Sequence, residues 1–418
     1  MDELEVEPRS YVLLPYGRGR IFLSRKEGLM NQYRLPVGLK DYYGSRLDTK
    51  EQLRHYLFQR FDQLGYHKIQ TPLLEYEPVF AEYETESRDL YRVLEADGNV
   101  LTIRPDLTLP IARFLSTTNV ALPNKFSYVG EFMQRHREYQ GFEREQTQAG
   151  IELVGYPSTK AEFECLTIIN QINQDWFDNS LVIELGSVDL AEVVLDQVTK
   201  DHDQRRVIKQ ALFQKNLPVY EKLIEPYSSG PIGTFLKEWT WLFGSSAEIE
   251  ELFKDSGLPA PVKKIIQQII TFAQFITNLP GQSVMIDLAS KAPQKYYTGL
   301  IFKAYTAQSN QYVISGGRYD QLLANVNSKN IPAVGMGINI QMMAELISPT
   351  TPASRVEIYC QQDQLFAAQQ LVNQHVNYEL SLADSLREAR SLAHQHQRQL
   401  MILNEKGELI NDLENRTN

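Results

Sequence analysis

The chain has 418 residues and a formal net charge of −10, and its 43% hydrophobic and 22% charged residues are typical of a globular protein of two or three domains. No apolar run reaches the roughly 18 residues that a membrane span requires, and the acidic balance disfavours nucleic acid as a partner. The cysteines, Cys165 and Cys360, lack metal-ligand spacing, so we expect a reducing cytoplasm, no disulfide, no metal and no cofactor.

The first predicted elements lie near the N-terminus. Residues 1–35 are predicted to be an extension ahead of the folded core, with Met30 as a candidate initiator. Apolar residues then recur at three- and four-residue steps, which predicts a helix over residues 49–64. Asp48 is its expected N-cap, and Gly65 is expected to end it.

Three strands are predicted next. The strand over residues 66–74 contains Pro72, and proline cannot donate a ladder hydrogen bond, so this strand is expected at an edge or an interface. Residues 90–94 and 100–103 flank a turn sequence, which predicts a hairpin.

The motif Ile103-Arg104-Pro105-Asp106-Leu107-Thr108 leads from this hairpin into a helix predicted over residues 110–115. It presents an aspartate and a threonine in a proline-led turn. Asp106 is either the N-cap of the helix or a carboxylate that binds a ligand, and the pattern leaves both interpretations open.

Residues 130–155 hold the central prediction: an apolar segment, a polar loop and a returning strand, which together predict a hairpin. On the returning strand Gln148, Gly150 and Glu152 lie two apart, so they share one face, opposite the apolar residues between them. A polar face of this kind is either solvated or part of a binding site.

The remaining chain predicts the domain organisation. Residues 188–280 are helical and polar, and are predicted to be an insertion between two halves of one sheet, residues 36–187 and 281–347. After a linker, residues 353–418 are predicted to form a small α/β domain.

Two glycine-rich stretches occur in the second half of the predicted sheet. Gly316-Gly317-Arg318-Tyr319-Asp320 is predicted to be a turn that leads into a helix. Residues 334–338 are predicted to be a strand against which another group packs closely, because glycine inside a strand leaves room for a neighbour.

Four motifs occur in an order typical of one enzyme class. They are the 103–108 motif, Gln148-Ala149-Gly150-Ile151-Glu152, Tyr296-Tyr297-Thr298-Gly299, and Ser315 with the Gly-Gly-Arg-Tyr-Asp stretch. Over residues 36–345 the chain therefore resembles the core of class II aminoacyl-tRNA synthetases, specifically histidyl-tRNA synthetase. The resemblance implies an α+β fold, with an antiparallel sheet flanked by helices.

The resemblance also implies a histidine-binding site. Its residues in this sequence are Asp106, Thr108, Gln148, Glu152, Tyr297 and Tyr319. Carboxylates are suited to an ammonium group or an imidazole N–H, and tyrosine rings are suited to flank a flat side chain.

Three arginine positions of the synthetases carry other residues here. They are Gln134, Ala292 and Ile340, although a one-residue shift would bring Arg135 to the first position. Fixed guanidinium groups neutralise the phosphates and the carboxylate during amino-acid activation. The departures therefore predict a chain that is not an active synthetase, and the short C-terminal tail points the same way.

This combination resembles the regulatory subunits of ATP phosphoribosyltransferase, which are paralogues of histidyl-tRNA synthetase. The resemblance implies a short-form catalytic partner that transfers the phosphoribosyl group of PRPP to ATP, the first step of histidine biosynthesis. The regulatory chain would be required for its activity and would carry feedback by histidine. The resemblance also implies a homodimer, with residues 49–64 and the Pro72 strand at the interface, and this dimer would be part of a larger hetero-oligomer. No tRNA and no membrane are expected as partners.

Two other functions remain open. An active histidyl-tRNA synthetase with unusual motifs would show histidine-dependent ATP–pyrophosphate exchange. A synthetase-like RNA-binding sensor would shift RNA in a gel at physiological salt, although the acidic charge and the short tail count against it.

Overall fold

The computed structural model describes residues 34–81, 90–134, 143–254, 256–324, 330–348 and 355–412. The chain divides into two compact units, Met1–Ser348 and Pro349–Asn418. Nearly all of the predicted N-terminal extension, including Met30, lies outside the described residues. The finer domain boundaries given above stay a prediction.

The strands of the first unit form two sheets. In chain order they are β1 (His67–Lys68), β2 (Leu74–Tyr76), β3 (Tyr91–Leu94), β4 (Val100–Ile103), β5 (Asn124–Met133), β6 (Glu145–Val154), β7 (Val182–Ser187), β8 (Phe243–Gly244), β9 (Ser283–Asp287), β10 (Leu300–Tyr305), β11 (Tyr312–Arg318) and β12 (Ala333–Asn339). Among the described residues, the large sheet has nine strands in the order β1-β5-β6-β12-β11-β10-β7-β9-β8, and the small one has the order β2-β4-β3. The large sheet is mixed, because β1 and β5 run parallel, as do β7 and β9.

Helices cover this sheet. They are α1 (Ser45–Gln63), α2 (Pro78–Ala81), α3 (Thr108–Thr117), α4 (Lys160–Trp176), α5 (Val188–Asp196), α6 (His202–Phe213), α7 (Leu217–Ile224), α8 (Gly230–Glu238), α9 (Ser246–Phe253), α10 (Ala260–Thr277) and α11 (Ile340–Leu346). None of the helices in the described part of the chain is long and apolar enough to cross a membrane.

The two faces of the central strand β6 enter different cores. Ala149, Ile151 and Leu153 lie in the main apolar core, together with residues of α1, α4 and α10 such as Leu57. The intervening polar residues therefore point to the opposite face, as the two-residue period of the sequence predicts. That face adjoins a second core rich in tyrosine.

The second unit is a small α/β structure, described here by itself. Its elements are β13 (Val356–Tyr359), α12 (Leu365–Gln374), β14 (Tyr378–Leu380), α13 (Leu386–Gln395), β15 (Gln399–Leu403) and β16 (Leu409–Asn411). The described strands pair in the order β14-β13-β15-β16, and β13 is parallel to both of its neighbours. Buried Ile358, Ala368 and Leu403 form part of its core.

Two of the predictions near the N-terminus need correction. The helix α1 begins at Ser45 after Gly44, and Asp48 lies in its first turn rather than at its N-cap. The Asp48 amide already donates to the Gly44 carbonyl, at 3.0 Å, so the chain is helical there. Gly65, with φ of 78°, follows the helix as expected.

The predicted strand over residues 66–74 was also wrong, because the chain leaves the large sheet after Lys68 and joins the small one at Leu74. Between them, the carbonyl groups of Thr71 and Pro72 accept hydrogen bonds from the buried Arg104 guanidinium, at 2.7 and 3.2 Å. A side chain thus replaces the ladder partners that a continuous strand would supply.

The glycines of the Gly-Gly-Arg-Tyr-Asp stretch were predicted to form a turn, but Gly316, Gly317 and Arg318 complete β11 and pair with β12. A Cβ atom at Gly316 would lie 2.5 Å from the ring of Phe302 on β10. Glycine is present here for close packing within a strand rather than for a turn.

Arg318 ends β11 with a bidentate ion pair to the helix α4. Its Nε and Nη2 atoms donate to the two carboxylate oxygens of Glu162, each at 2.7 Å. Only 1% of the Glu162 side chain is exposed, so removal of the guanidinium would leave a buried charge without a partner.

We predict that Arg318→Met lowers the free energy of unfolding by about 3 to 5 kcal/mol. The exposed pair of Arg92 and Glu77 provides the matched control, and Arg92→Met should cost less than about 1 kcal/mol. Urea unfolding of the two variants measures the difference. Equal losses would show that the Arg318 pair contributes no more than a surface pair.

Candidate functional site

The first part of the site is the turn between β4 and α3. Asp106 Oδ1 accepts a hydrogen bond from the Leu109 amide in the first turn of α3, at 2.6 Å, although Leu107 and not Asp106 is the N-cap of this helix. Its other oxygen accepts from the Tyr296 hydroxyl at 3.1 Å. Asp106 is therefore one residue before the N-cap, and it joins the polar cluster around Glu152; a role in binding a ligand stays a prediction.

Glu152 on β6 is the centre of that cluster. Its two carboxylate oxygens accept hydrogen bonds from the hydroxyls of Thr108, at 2.8 Å, and of Tyr319. Gly335 on β12 lies directly opposite, and a Cβ atom there would overlap the carboxylate. The glycine-rich strand thus packs closely against the Glu152 side chain, as its sequence predicts.

Gln148 lies on the same strand and the same face, four residues before Glu152. The Tyr128 hydroxyl donates to its Oε1 atom at 3.3 Å, and the Tyr128 ring lies over Gly150, where a Cβ atom would overlap it. Tyr128 therefore fills the space between Gln148 and Glu152.

Three more tyrosine rings enclose the cluster. The ring centroid of Tyr319 lies 5.6 Å from that of Tyr296 and 6.3 Å from that of Tyr297, in edge-to-face contacts. All three side chains are buried. The six residues predicted for the histidine site thus lie along one face of the sheet, five of them in this buried cluster and Gln148 at its border.

Burial controls the charge of this cluster. It raises the pKa of Glu152 to about 8, and the nearby Asp106 carboxylate adds to the rise. Burial likewise raises the pKa of Asp106. Among the described residues neither carboxylate forms an ion pair, so the unliganded site favours the protonated form of Glu152 at neutral pH.

A groove of about 370 Å³ opens beside Gln148. Seven of its lining side chains are amides, namely Gln134, Gln146, Gln148, Gln294, Asn310, Gln311 and Asn339. None of the described residues that line it carries a charge. The groove can exchange hydrogen bonds in both directions, but its described walls offer no cation to neutralise a phosphate.

The three positions compared with synthetase arginines have different surroundings. Gln134 lines the groove, and its Nε2 atom donates to the Pro105 carbonyl at 3.0 Å. Ala292 is half-buried against the tyrosine-rich core, and Ile340 is fully buried in the main core. Arg135, the alternative to Gln134, lies outside the described residues.

Comparison with known proteins identifies the family. Residues 38–343 match the family model described as histidyl-tRNA synthetase. A curated relative from Limosilactobacillus fermentum, named ATP phosphoribosyltransferase regulatory subunit, is 44% identical over 91% of this chain and its own entire length. One of the same name from Lactiplantibacillus plantarum is 41% identical over 92% of this chain and its entire length.

The chain belongs to the family of ATP phosphoribosyltransferase regulatory subunits.

Solved structures agree in fold with this family assignment. An ATP phosphoribosyltransferase regulatory subunit/histidyl-tRNA synthetase from Bacillus halodurans superposes with a TM-score of 0.76 at 22% identity, over 88% of this chain and 97% of that one. A histidyl-tRNA synthetase from Nostoc sp. PCC 7120 gives 0.73 at 17% identity, over 92% and 98%. The predicted class II synthetase-like fold is confirmed.

Sequence reasoning missed several members of the site. Tyr296 precedes Tyr297 in a motif that was already recognised, and only the structure joins it to Asp106. Tyr128 could have been found from the hairpin, because it pairs with Gly150 on the neighbouring strand. The amides of the groove carry no signal in sequence, since they come from five separate segments.

The raised pKa of Glu152 predicts a pH dependence of stability for this regulatory subunit. The folded chain keeps the carboxyl protonated up to about pH 8, whereas the unfolded chain ionises it near its ordinary pKa of 4.5. Its contribution to stability is therefore complete below the lower value and is lost as the pH rises to the higher one. At about 1.4 kcal/mol per pKa unit, the loss is at most a few kcal/mol.

We predict that Glu152→Gln, which cannot ionise, loses less stability than the unmodified chain between about pH 5 and about pH 8. Urea unfolding at a series of pH values, without ligand, measures this. The control is Glu221→Gln, which alters an exposed carboxylate on α7 and should leave the pH dependence unchanged. Identical slopes for all three proteins would contradict a raised pKa.

Proposed function

We propose that this chain is a non-catalytic subunit that activates a short-form ATP phosphoribosyltransferase in the cytoplasm and carries its feedback regulation by histidine. The observation that carries the proposal is the pair of neighbouring carboxyl groups, the buried Glu152 and the partly buried Asp106, which have hydroxyl and amide donors but no ion-pair partner among the described residues. Family membership supports the regulatory role.

The electrostatics of this pair support a cationic ligand. A buried carboxylate is costly without a positive partner, and here the described partners are all neutral. A ligand that brings a positive charge to Glu152 would favour its ionised form and would gain a charge-assisted hydrogen bond. Anions would be repelled from the same place.

The residue types of the cluster support histidine in particular. An α-ammonium group and an imidazole N–H are both donors, and the two carboxyl groups with Thr108 supply acceptors. The rings of Tyr297 and Tyr319 lie edge to face, at 6.3 Å, and line the cluster with flat apolar surface. Histidine has both the cationic and the aromatic parts that such walls accept.

The same surroundings argue against amino-acid activation. The positions compared with synthetase arginines carry an amide, a methyl group and a buried isoleucine, at Gln134, Ala292 and Ile340. Removal of one preorganised donor costs a factor of about 10² to 10³ in rate. We therefore expect no adenylate formation and no role for tRNA.

Feedback by histidine requires a difference in affinity between two states of the complex. In this proposal histidine binds the inhibited state better. Because the linkage is reciprocal, the catalytic partner changes the affinity of this chain for histidine by the same factor.

We predict that this chain raises phosphoribosyl-ATP formation by a purified short-form catalytic subunit, and that histidine reverses the gain. Glu152→Gln should keep the gain but weaken inhibition by histidine about a hundredfold, because it removes the charge that pairs with the ligand. Steady-state rates and calorimetry with histidine on the complex measure the two effects.

Glu221→Gln is the control and should match the unmodified chain in both measurements. Unchanged histidine affinity in Glu152→Gln would remove this pocket from the proposal. Histidine-dependent ATP–pyrophosphate exchange would instead establish a synthetase, and an RNA shift at physiological salt would favour the RNA-binding sensor.

A homodimer is the second part of the proposal, and the small sheet supports it. Residues paired across its strands form two apolar rows on one face. The rows are Leu74, Ile103 and Tyr91, and Tyr76, Leu101 and Val93. Several of these side chains are exposed, including 60% of Tyr76, whereas Glu75 and Thr102 on the other face are buried. A second copy that covered this face would bury the apolar rows.

We predict that Val93→Asp converts a dimer into monomers at micromolar concentration, measured by light scattering. The control is Val207→Asp on α6, where a valine is 41% exposed, close to the 37% of Val93. An unchanged mass for Val93→Asp would place the contact between copies on another surface.

A further inference from the structure

The edge of the large sheet at β8 carries exposed aromatic side chains. Trp241 and Phe243 are 63% and 56% exposed, and they flank the buried Leu242. β8 is the outermost strand at this end of the sheet, and no described strand pairs with its outer edge. Edge strands are usually protected by charge or proline against contact with other chains. Exposed aromatic residues at this edge therefore indicate a contact surface.

We propose that this surface, formed by Trp241, Phe243 and Leu252, binds the catalytic partner, which presents an apolar depression bordered by basic side chains. The inference rests on the proposed function, because it takes a short-form ATP phosphoribosyltransferase as the partner. It adds the place of contact, which family membership does not give.

The backbone that carries these side chains is held in place by the neighbouring loop. Trp239 is fully buried, and its Nε1 atom donates to the Leu288 carbonyl at 2.7 Å. The Leu288 amide in turn donates to the Leu242 carbonyl at 3.0 Å. A large aromatic side chain on a fixed backbone loses little conformational entropy when a partner covers it. Tryptophan is also among the residue types that dominate the binding energy of interfaces.

The helix α9 continues this surface. A Cβ atom at Gly244 would lie 2.8 Å from Glu248 Oε2, so this face of α9 adjoins the end of β8. Leu252 lies one turn after Glu248 on the same face, and it is 58% exposed. The apolar surface therefore extends from the sheet edge along the helix.

The border of this surface is acidic, which argues against a second copy of this chain as the occupant. Residues 238–253 contain four glutamates and no lysine or arginine, although Lys237 and Lys254 lie at the two ends. The four exposed carboxylates are those of Glu238, Glu248, Glu250 and Glu251. A symmetric contact would bring the carboxylates of two copies together. A partner with basic groups around its apolar surface would be attracted instead.

The surface also lies far from the one proposed for the homodimer. Among the described strands, β8 and β1 are the outer strands of the large sheet, and the small sheet begins at Leu74, soon after β1. At about 4.8 Å between neighbouring strands, these two edges are about 38 Å apart. A dimer formed through the small sheet therefore leaves the β8 surface of each copy to a different partner.

The test measures the affinity of the full chain for a purified short-form catalytic subunit by analytical ultracentrifugation. Trp241→Ala should weaken the complex by about thirtyfold or more, and Phe243→Ala by about tenfold. The matched control is Phe366→Ala, which truncates a 77% exposed phenylalanine of the second unit and should change the affinity by less than about threefold. Urea unfolding of all three variants should match that of the unmodified chain, because each side chain is exposed.

Hydroxyl-radical footprinting tests the same contact without a substitution. Formation of the complex should lower the oxidation of Trp241 and Phe243 by about threefold or more, because the centre of an interface excludes water. The oxidation of Phe366 should stay unchanged and serves as the internal reference.

The outcomes separate this inference from the proposed function. If the unmodified chain activates the catalytic subunit, but Trp241→Ala binds equally well and Trp241 is oxidised as in the free chain, the contact lies elsewhere and the proposed function stands. If the unmodified chain forms no complex, the proposed function is wrong and this inference falls with it. A lower mass of Trp241→Ala without the partner would show that a second copy occupies the surface, and would also overturn the inference.

Discussion

The site depends on one steric constraint, the absence of side chains on β12 where polar side chains of β6 need space. Glu152 lies opposite Gly335, and a Cβ atom there would overlap its carboxylate. Gly337 makes the same allowance for Gln148, whose Nε2 atom would lie 2.5 Å from an added Cβ. Because β6 and β12 are central strands with a full ladder between them, the positions of both polar groups are fixed by the main sheet rather than by loops.

This arrangement places an electrostatic cost in the unliganded protein. Glu152 and Asp106 lie near each other, and their hydrogen-bond donors among the described residues are neutral. Burial without a positive partner raises the pKa of each carboxyl group. Functional sites commonly break the rule that buried charges are paired, and a ligand then restores the balance. A cation that binds here gains both from its own contacts and from relief of that cost, so binding should also stabilise the fold.

The sequence predicts local features of this site better than its assembly. The two-residue alternation of β6 is sufficient to separate Glu152 from Ile151, because strand geometry is local. The extension of β11 through Gly316 could not be predicted in the same way. Glycine is required there because the ring of Phe302, on the neighbouring strand β10, occupies the space that a side chain would need. The break after Lys68 has a similar origin, since it depends on the guanidinium of Arg104. In both cases the course of the strand depends on a contact with a residue distant in sequence, and such contacts cannot be identified from a single sequence.

The packing of the main core bears on the proposal that this chain does not activate an amino acid. Under the correspondence that the resemblance implies, a synthetase arginine stands where Ile340 is fully buried in the main apolar core. A guanidinium at that position would need a partner and space that the surrounding aliphatic side chains do not offer. Gln134 faces an open groove and could accept an arginine, whereas Ile340 could not without repacking of α11. If the correspondence holds, the packing of α11 argues against adenylation independently of the polar cluster around Glu152, which lies on the other face of the sheet.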